Sequence, residues 1–173
     1  RAWRAAPAGA PRAGVVVLQE VFGVNAHVRQ VAERFAAEGY AVLAPALFDP
    51  VERGIELGYD AAGLQRGHEL RSQVGWDAAV AIIQAAAERL AADGVRVGVV
   101  GFCWGGTLAF LANTRLGLPS VSYYGAQTVQ FLAEPTRAPL LLHFGERDDS
   151  IPPADIQKHR DALPDALLHT YPA

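Results

Sequence analysis

Apolar and polar positions follow two rhythms that take turns along the chain. Runs such as Gly14-Val15-Val16-Val17-Leu18 and Val97-Gly98-Val99-Val100-Gly101 are strand-sized and have no polar face, as expected of strands covered on both sides. The first such strand spans Gly14 to Glu20. After it, Asn25 precedes apolar residues at helical spacing, Val28, Val31, Ala32, Phe35 and Ala36, with Gly39 beyond them. This predicts a helix capped by Asn25 and ended at Gly39. Tyr40 to Leu47 reads as the next strand. From Phe48 to about Arg71 the periodicity fades among Pro50, Gly54, Gly58, Gly63 and Gly67, which predicts a long loop with short helical pieces. The stripe Trp76, Val80, Ile83, Ala87 and Leu90 then predicts a helix over Ser72 to Asp93, stopped at Gly94. Further strands are predicted at Val95–Phe102, Ser120–Tyr124, Leu140–Phe144 and Ala166–Tyr171, and helices at Trp104–Leu116 and Ala154–Leu163. Strands alternating with helices indicate an α/β domain, a mostly parallel sheet with helices on both faces. One domain over residues 1–173 accounts for the whole pattern.

Composition narrows the functional classes. With 51% hydrophobic and 19% charged residues, the chain can bury a substantial core, which excludes disordered and fibrous classes. Its apolar runs are far shorter than the roughly 20 residues that cross a bilayer. Eighteen acidic residues stand against 15 basic ones with no cluster of like charge, so neither nucleic acid nor a membrane surface is an expected partner. Cys103 is the one cysteine, which excludes an internal disulfide and a cysteine cluster for zinc. The five histidines, His27, His68, His143, His159 and His169, lack metal-ligand spacing, and neither a metal nor another cofactor is expected. The chain starts at Arg1, contains no methionine and stops at Tyr171-Pro172-Ala173. It therefore reads as a piece cut at both ends from a longer product, with a cytoplasmic location as the expectation.

The segment Val97-Gly98-Val99-Val100-Gly101-Phe102-Cys103-Trp104-Gly105-Gly106-Thr107-Leu108 runs a buried strand into a helix through a Gly-x-Cys-x-Gly-Gly turn. This is the sequence form of a nucleophile elbow. The central residue is held in strained geometry, and a Cβ two positions away on either side would collide with the opposite limb. The turn would aim the Cys103 sulfur out of the sheet at a helix start, where the dipole and free N–H groups favour a thiolate. A lone cysteine without such a setting is more simply a small buried hydrophobe. The glycines do not spell GxGxxG, which removes a dinucleotide site.

Three segments occur in family order and spacing: Leu18-Gln19-Glu20-Val21-Phe22-Gly23-Val24-Asn25, Gly101-Phe102-Cys103-Trp104-Gly105-Gly106, and His143-Phe144-Gly145-Glu146-Arg147-Asp148-Asp149-Ser150-Ile151-Pro152. In these the chain, from about Ala13 to Ala173, resembles the dienelactone hydrolase family of α/β-hydrolases. The resemblance implies an α/β-hydrolase fold and hydrolysis of a small lactone or ester without a cofactor, the namesake opening a dienelactone to maleylacetate. It makes Cys103 the nucleophile of a Cys-His-Asp triad and Asp148 its acid, in a turn bracketed by Gly145 and Pro152. An acid there orients the histidine and stabilises its imidazolium. A turn-forming aspartate is the other reading, for which Asp149 is the better candidate. Glu20, at the carboxyl edge of its strand, would by the same resemblance contact the resting thiol and help to deprotonate it when substrate binds. The N–H groups of Val21 and Trp104 would form the oxyanion hole, while the Trp104 side chain either walls the pocket or packs.

The family histidine follows the last strand in a Gly-His-x-Phe sequence, so it is expected just beyond Ala173. His169 and His143 lie within strand patterns, and His27, His68 and His159 read as helix or loop surface. The family also binds a substrate carboxylate with arginines. Arg66 and Arg71 lie in the corresponding region, where an exposed helical arginine is the simpler reading for either. The expectation is thus a hydrolase that forms an acyl-enzyme at Cys103. Its rival is a non-catalytic α/β-hydrolase-fold protein that binds a small ligand or a partner in the same pocket. A thiol redox sensor is weaker, because no second cysteine is present to resolve a sulfenic acid.

Overall fold

The Val-rich runs form the centre of a seven-stranded sheet in the computed structural model, which describes residues 1–172. The strands are β1 (Ala2–Ala5), β2 (Ala13–Leu18), β3 (Tyr40–Pro45), β4 (Val97–Phe102), β5 (Ser120–Tyr123), β6 (Leu140–Gly145) and β7 (Leu167–Tyr171), in the spatial order β1-β3-β2-β4-β5-β6-β7. Only β1 runs antiparallel, pairing Ala2 with Pro45 and Ala5 with Val42 at one edge. The central pair is in register from Gly14 opposite Val97 to Leu18 opposite Gly101.

Strand order decides which face each helix covers. The crossover from β2 to β3 steps toward one edge, and every later crossover steps toward the other. Right-handed connections therefore place α1 (Ala26–Ala37) on one face, and α2 (Ala61–Ala91), α3 (Trp104–Leu116) and α4 (Pro153–Ala162) on the opposite one. Two hydrophobic cores result. Val28, Val31, Ala32 and Ala36 of α1 pack on Val17, Val42 and Val100. On the other face Ile83, Leu90, Leu108, Leu111 and Ile156 pack on Val16, Leu18, Val99 and Leu142. Asn25 caps α1 through its side-chain oxygen, which accepts from the Val28 N–H at 3.1 Å, and Gly39 follows with φ 93°. Helix α3 is buried from Trp104 to Thr114, which explains why its sequence lacks a polar stripe.

Two departures from the expected elements have local causes. Strand β1 left no pattern because it is four residues long and largely exposed at the edge. Helix α2 begins at Ala61, well inside the expected loop, and its two arms, 61–74 and 76–91, meet at Gly75, whose backbone is non-helical (φ 71°, ψ 174°). Gly63 and Gly67, which made the first arm look like a loop, are close-approach positions. A Cβ on Gly63 would lie 2.0 Å from the Gly58 carbonyl oxygen, and one on Gly67 would lie 2.1 Å from that of Val21. The other strands and α-helices lie where predicted, with small shifts at their ends, and a short 3-10 helix at Ala126–Phe131 is added. Among the described residues no helix is long and apolar enough to cross a membrane.

Candidate active site

The carboxyl ends of β2, β4, β5 and β6 open on one edge of the parallel sheet, where such folds place their ligands. Cys103 follows β4 directly and heads α3 with φ 55° and ψ −116°. Its N–H donates to the Tyr123 carbonyl at 3.0 Å, and its carbonyl accepts from the Gly106 and Thr107 N–H groups. The glycines are mechanically required. A Cβ on Gly101 would lie 1.8 Å from the Gly105 carbonyl oxygen, and one on Gly105 would lie 2.5 Å from that of Gln19. The elbow is thus wedged against the end of β2. Val21 and Trp104 are buried. Neither of their N–H groups donates to a carbonyl or side-chain oxygen among the described residues.

The thiol is half-buried, and burial pushes it up from the ordinary cysteine range. The Trp104 N–H on the sulfur and the charge of Arg71 oppose this, while the charges of Glu20 and Asp148 add to it. For the thiol, desolvation outweighs the helix start, the opposite direction to the depression expected from the turn alone. The Trp104 side chain packs, stacked on Phe48 with ring centroids 5.4 Å apart.

Glu20 lies two residues past β2, and its backbone is braced by Gln19, a polar side chain in the core. Gln19 Nε2 donates to the Glu20 carbonyl, and its Oε1 accepts from the Leu47 N–H, each at 3.1 Å. The Glu20 carboxylate is taken up by two tyrosines. The Tyr59 hydroxyl donates to Oε2 at 2.5 Å and the Tyr124 hydroxyl to Oε1 at 3.1 Å, and Asn25 Nδ2 donates to the Tyr59 hydroxyl at 3.3 Å. No hydrogen bond joins the carboxylate to the sulfur, on which its charge acts, and both carboxylate oxygens are engaged by these phenols. Burial, reinforced by Glu20, pushes the Tyr59 hydroxyl up to about 12 and that of Tyr124 higher still.

Asp148 lies three residues past β6, half-buried, with its charge acting on Cys103. Its Oδ1 accepts from the Ser150 N–H at 2.8 Å, so Asp148 itself, rather than Asp149, makes the turn. The structure also separates the two arginines. Arg66 is tied on the surface to Glu52 and Glu69 at 2.6 and 3.0 Å. Arg71, held by Gln127 Oε1 at 2.9 Å, is the one whose charge reaches the thiol.

The histidines are engaged elsewhere. His143 Nδ1 lies 2.8 Å from the Tyr171 hydroxyl, and its ring stacks between Tyr123 and the exposed His169. His27 packs edge-on to Phe102, and His68 is exposed on α2. His159, expected at the surface, is buried against Phe144, because the helix it rides turns that side to the sheet.

A helix-covered parallel sheet, with a strained cysteine on a glycine-braced strand-to-helix turn, defines the α/β-hydrolase class. Within that class the chain belongs to the dienelactone hydrolase family, whose family model matches residues 1–173. It is 36% identical to a Synechocystis protein assigned as a carboxymethylenebutenolidase, over 86% of this chain and 67% of that one. With the carboxymethylenebutenolidase of Pseudomonas putida it shares 32% identity over 84% of this chain and 65% of the relative. The chain thus spans about two thirds of the length of these relatives. A solved structure from Klebsiella pneumoniae, assigned as a dienelactone hydrolase, superposes with a TM-score of 0.81 at 27% identity, covering 99% of this chain and 85% of that one.

Proposed function

We propose that this chain carries the nucleophile end of a hydrolase that opens small lactones or cleaves small esters through an acyl-enzyme on Cys103. The observation that carries the reading is the backbone of Cys103, held at φ 55° on a glycine-braced elbow packed against the end of β2. Strain at a single residue persists where surrounding structure over-determines it, and such residues cluster at reaction sites. Names of relatives point the same way.

In this mechanism the thiol proton passes to a base and the sulfur attacks the substrate carbonyl carbon. The C=O π pair moves onto oxygen, where the Val21 and Trp104 N–H groups receive the charge. The intermediate collapses by breaking the C–O bond, and the departing alkoxide takes a proton. In a lactone that alcohol stays tethered to the acyl group. Water then cleaves the thioester, which restores the thiol and releases the acid. Glu20 would take the first proton, as the family pattern implies. Asp148 would orient a histidine contributed by sequence after Ala173, as the family pattern implies. Arg71 would hold a carboxylate on the substrate, favouring acidic lactones over neutral esters.

The test uses the full-length chain with a p-nitrophenyl ester and a dienelactone. Wild type should release a burst of product and show an acyl adduct by intact mass, and Cys103→Ala should show neither. Full activity in Cys103→Ala would end the reading.

A further inference from the structure

Arg71 stands apart from the other half-buried arginines. Arg29 is paired with Glu56, Arg66 with Glu52 and Glu69, and Arg115 with Asp77 and Glu134, at 2.6 to 3.0 Å. Arg71 has no carboxylate partner among the described residues. Its one hydrogen bond there runs from Nη1 to Gln127 Oε1, a neutral acceptor, at 2.9 Å. The guanidinium therefore keeps its charge uncompensated and its remaining N–H donors open.

The bond is mounted on packed backbone at both ends. Gln127 belongs to the 3-10 helix Ala126–Phe131. Just before that helix, Gly125 is pressed on the elbow: a Cβ there would lie 2.8 Å from the Thr107 nitrogen and 2.9 Å from the Gly106 carbonyl carbon. At its far end Phe131 packs edge-on against Trp76 of α2, ring centroids 5.2 Å apart. Arg71 follows the fully buried Leu70 and lies one turn beyond Gly67 and its contact with Val21. One end of the hydrogen bond is thus seated on the elbow and the other on the segment after β2.

We propose that Gln127 is a positioning residue that sets the selectivity of the site for anionic substrates, its neutral amide fixing the Arg71 guanidinium beside the elbow without neutralising it. Three side-chain charges act on the Cys103 sulfur, the negative ones of Glu20 and Asp148 and the positive one of Arg71. An anionic substrate is repelled by two and attracted by one, so its approach depends on where that guanidinium stands. An arginine left free to rotate would lose that freedom on binding, which weakens binding by roughly threefold to tenfold. Glutamate in place of Gln127 would make the same contact and cancel the charge. Leucine would keep the volume and release the guanidinium.

The proposal rests on the reading of Cys103 as nucleophile and of Arg71 as the group that meets a substrate carboxylate. The experiment compares alkylation of Cys103 by iodoacetate, which carries a carboxylate, and by neutral iodoacetamide, in the full-length chain at about pH 7. Both reagents lose iodide to the sulfur, so the ratio of the two rates reads the charge beside the sulfur and cancels the reactivity of the thiol itself. Arg71→Gln should lower the iodoacetate-to-iodoacetamide ratio by about tenfold. Gln127→Glu should lower it as far, and Gln127→Leu by about threefold or more. In an Arg71→Gln background Gln127→Leu should have no further effect, because no guanidinium remains to be held. A wild-type ratio in either folded Gln127 variant would overturn the proposal. So would a fall for Gln127→Leu that persists beside Arg71→Gln. Alkylation needs no turnover, so a full-length protein that hydrolyses no ester would defeat the hydrolase reading while these ratios still judged Gln127. An unchanged ratio in Arg71→Gln, or a sulfur that reacts with neither reagent, would defeat the underlying reading and the proposal together.

Discussion

Gly67 of α2 lies directly against the backbone of Val21, so that a methyl group on it would come within 2.1 Å of the Val21 carbonyl oxygen. This contact seats the first arm of α2 on the loop whose N–H is assigned to the oxyanion hole, and the fit of that helix therefore bears on the position of a donor. In an unconstrained helix Gly→Ala stabilises by about 1 kcal/mol, and overpacking costs about 1–3 kcal/mol. The carbonyl is backbone and cannot rotate away, so the cost should win. Gly67→Ala should lower stability by about 1 kcal/mol in urea and depress kcat in the full-length chain. A gain in stability would show that α2 is not seated this way.

Asp148→Asn separates two roles of one side chain. Asparagine keeps the oxygen that accepts from the Ser150 N–H, so denaturant stability should change by less than about 0.5 kcal/mol. The negative charge that would hold an imidazolium is lost, and kcat for an ester should fall about 10⁴-fold, as in related triads. Equal activity of the two proteins would return Asp148 to a turn residue.

The arginines give a paired comparison. Replacing Arg71 with Gln should raise KM for a carboxylate-bearing lactone by about tenfold or more, the scale of one charge-assisted hydrogen bond. A neutral ester should be little affected. Arg66→Gln, which removes exposed ion pairs only, should stay within about twofold of wild type on both substrates.

His159 should make the fold acid-sensitive. Its Nδ1 donates to the Asp155 carbonyl at 2.6 Å, its Nε2 is buried with no partner, and burial lowers its proton affinity below the ordinary histidine range. Below about pH 6.5 the unfolded chain takes up a proton that the native chain refuses, so stability falls as pH falls, by at most about 1.4 kcal/mol per pH unit from this group. Urea midpoints at pH 7 and pH 5 should converge in His159→Gln relative to wild type. The same pH dependence in both proteins would assign it to other groups.

What the sequence determined by itself was everything with a local rhythm. The valines of β2 and β4, the Asn25 cap, the stripe of the second arm of α2 and the Gly-x-Cys-x-Gly-Gly turn each record an environment in adjacent residues. Periodicity and turn sterics act over a few positions and are legible there. Glu20, Cys103 and Asp148 could be singled out because each sits just after a strand, and parallel strands gather their carboxyl ends at one edge. The first arm of α2 was not legible, because Gly63 and Gly67 answer to the backbones of Gly58 and Val21 rather than to helix propensity. Tertiary structure alone decided that Tyr59 and Tyr124 meet Glu20 across 39 and 104 residues, that the charge of Arg71 rather than Arg66 acts on the thiol, and that His159 is buried. Each of these depends on where a surface comes to rest after the sheet is assembled, and a contact between distant residues leaves no periodic trace in either of the segments that make it.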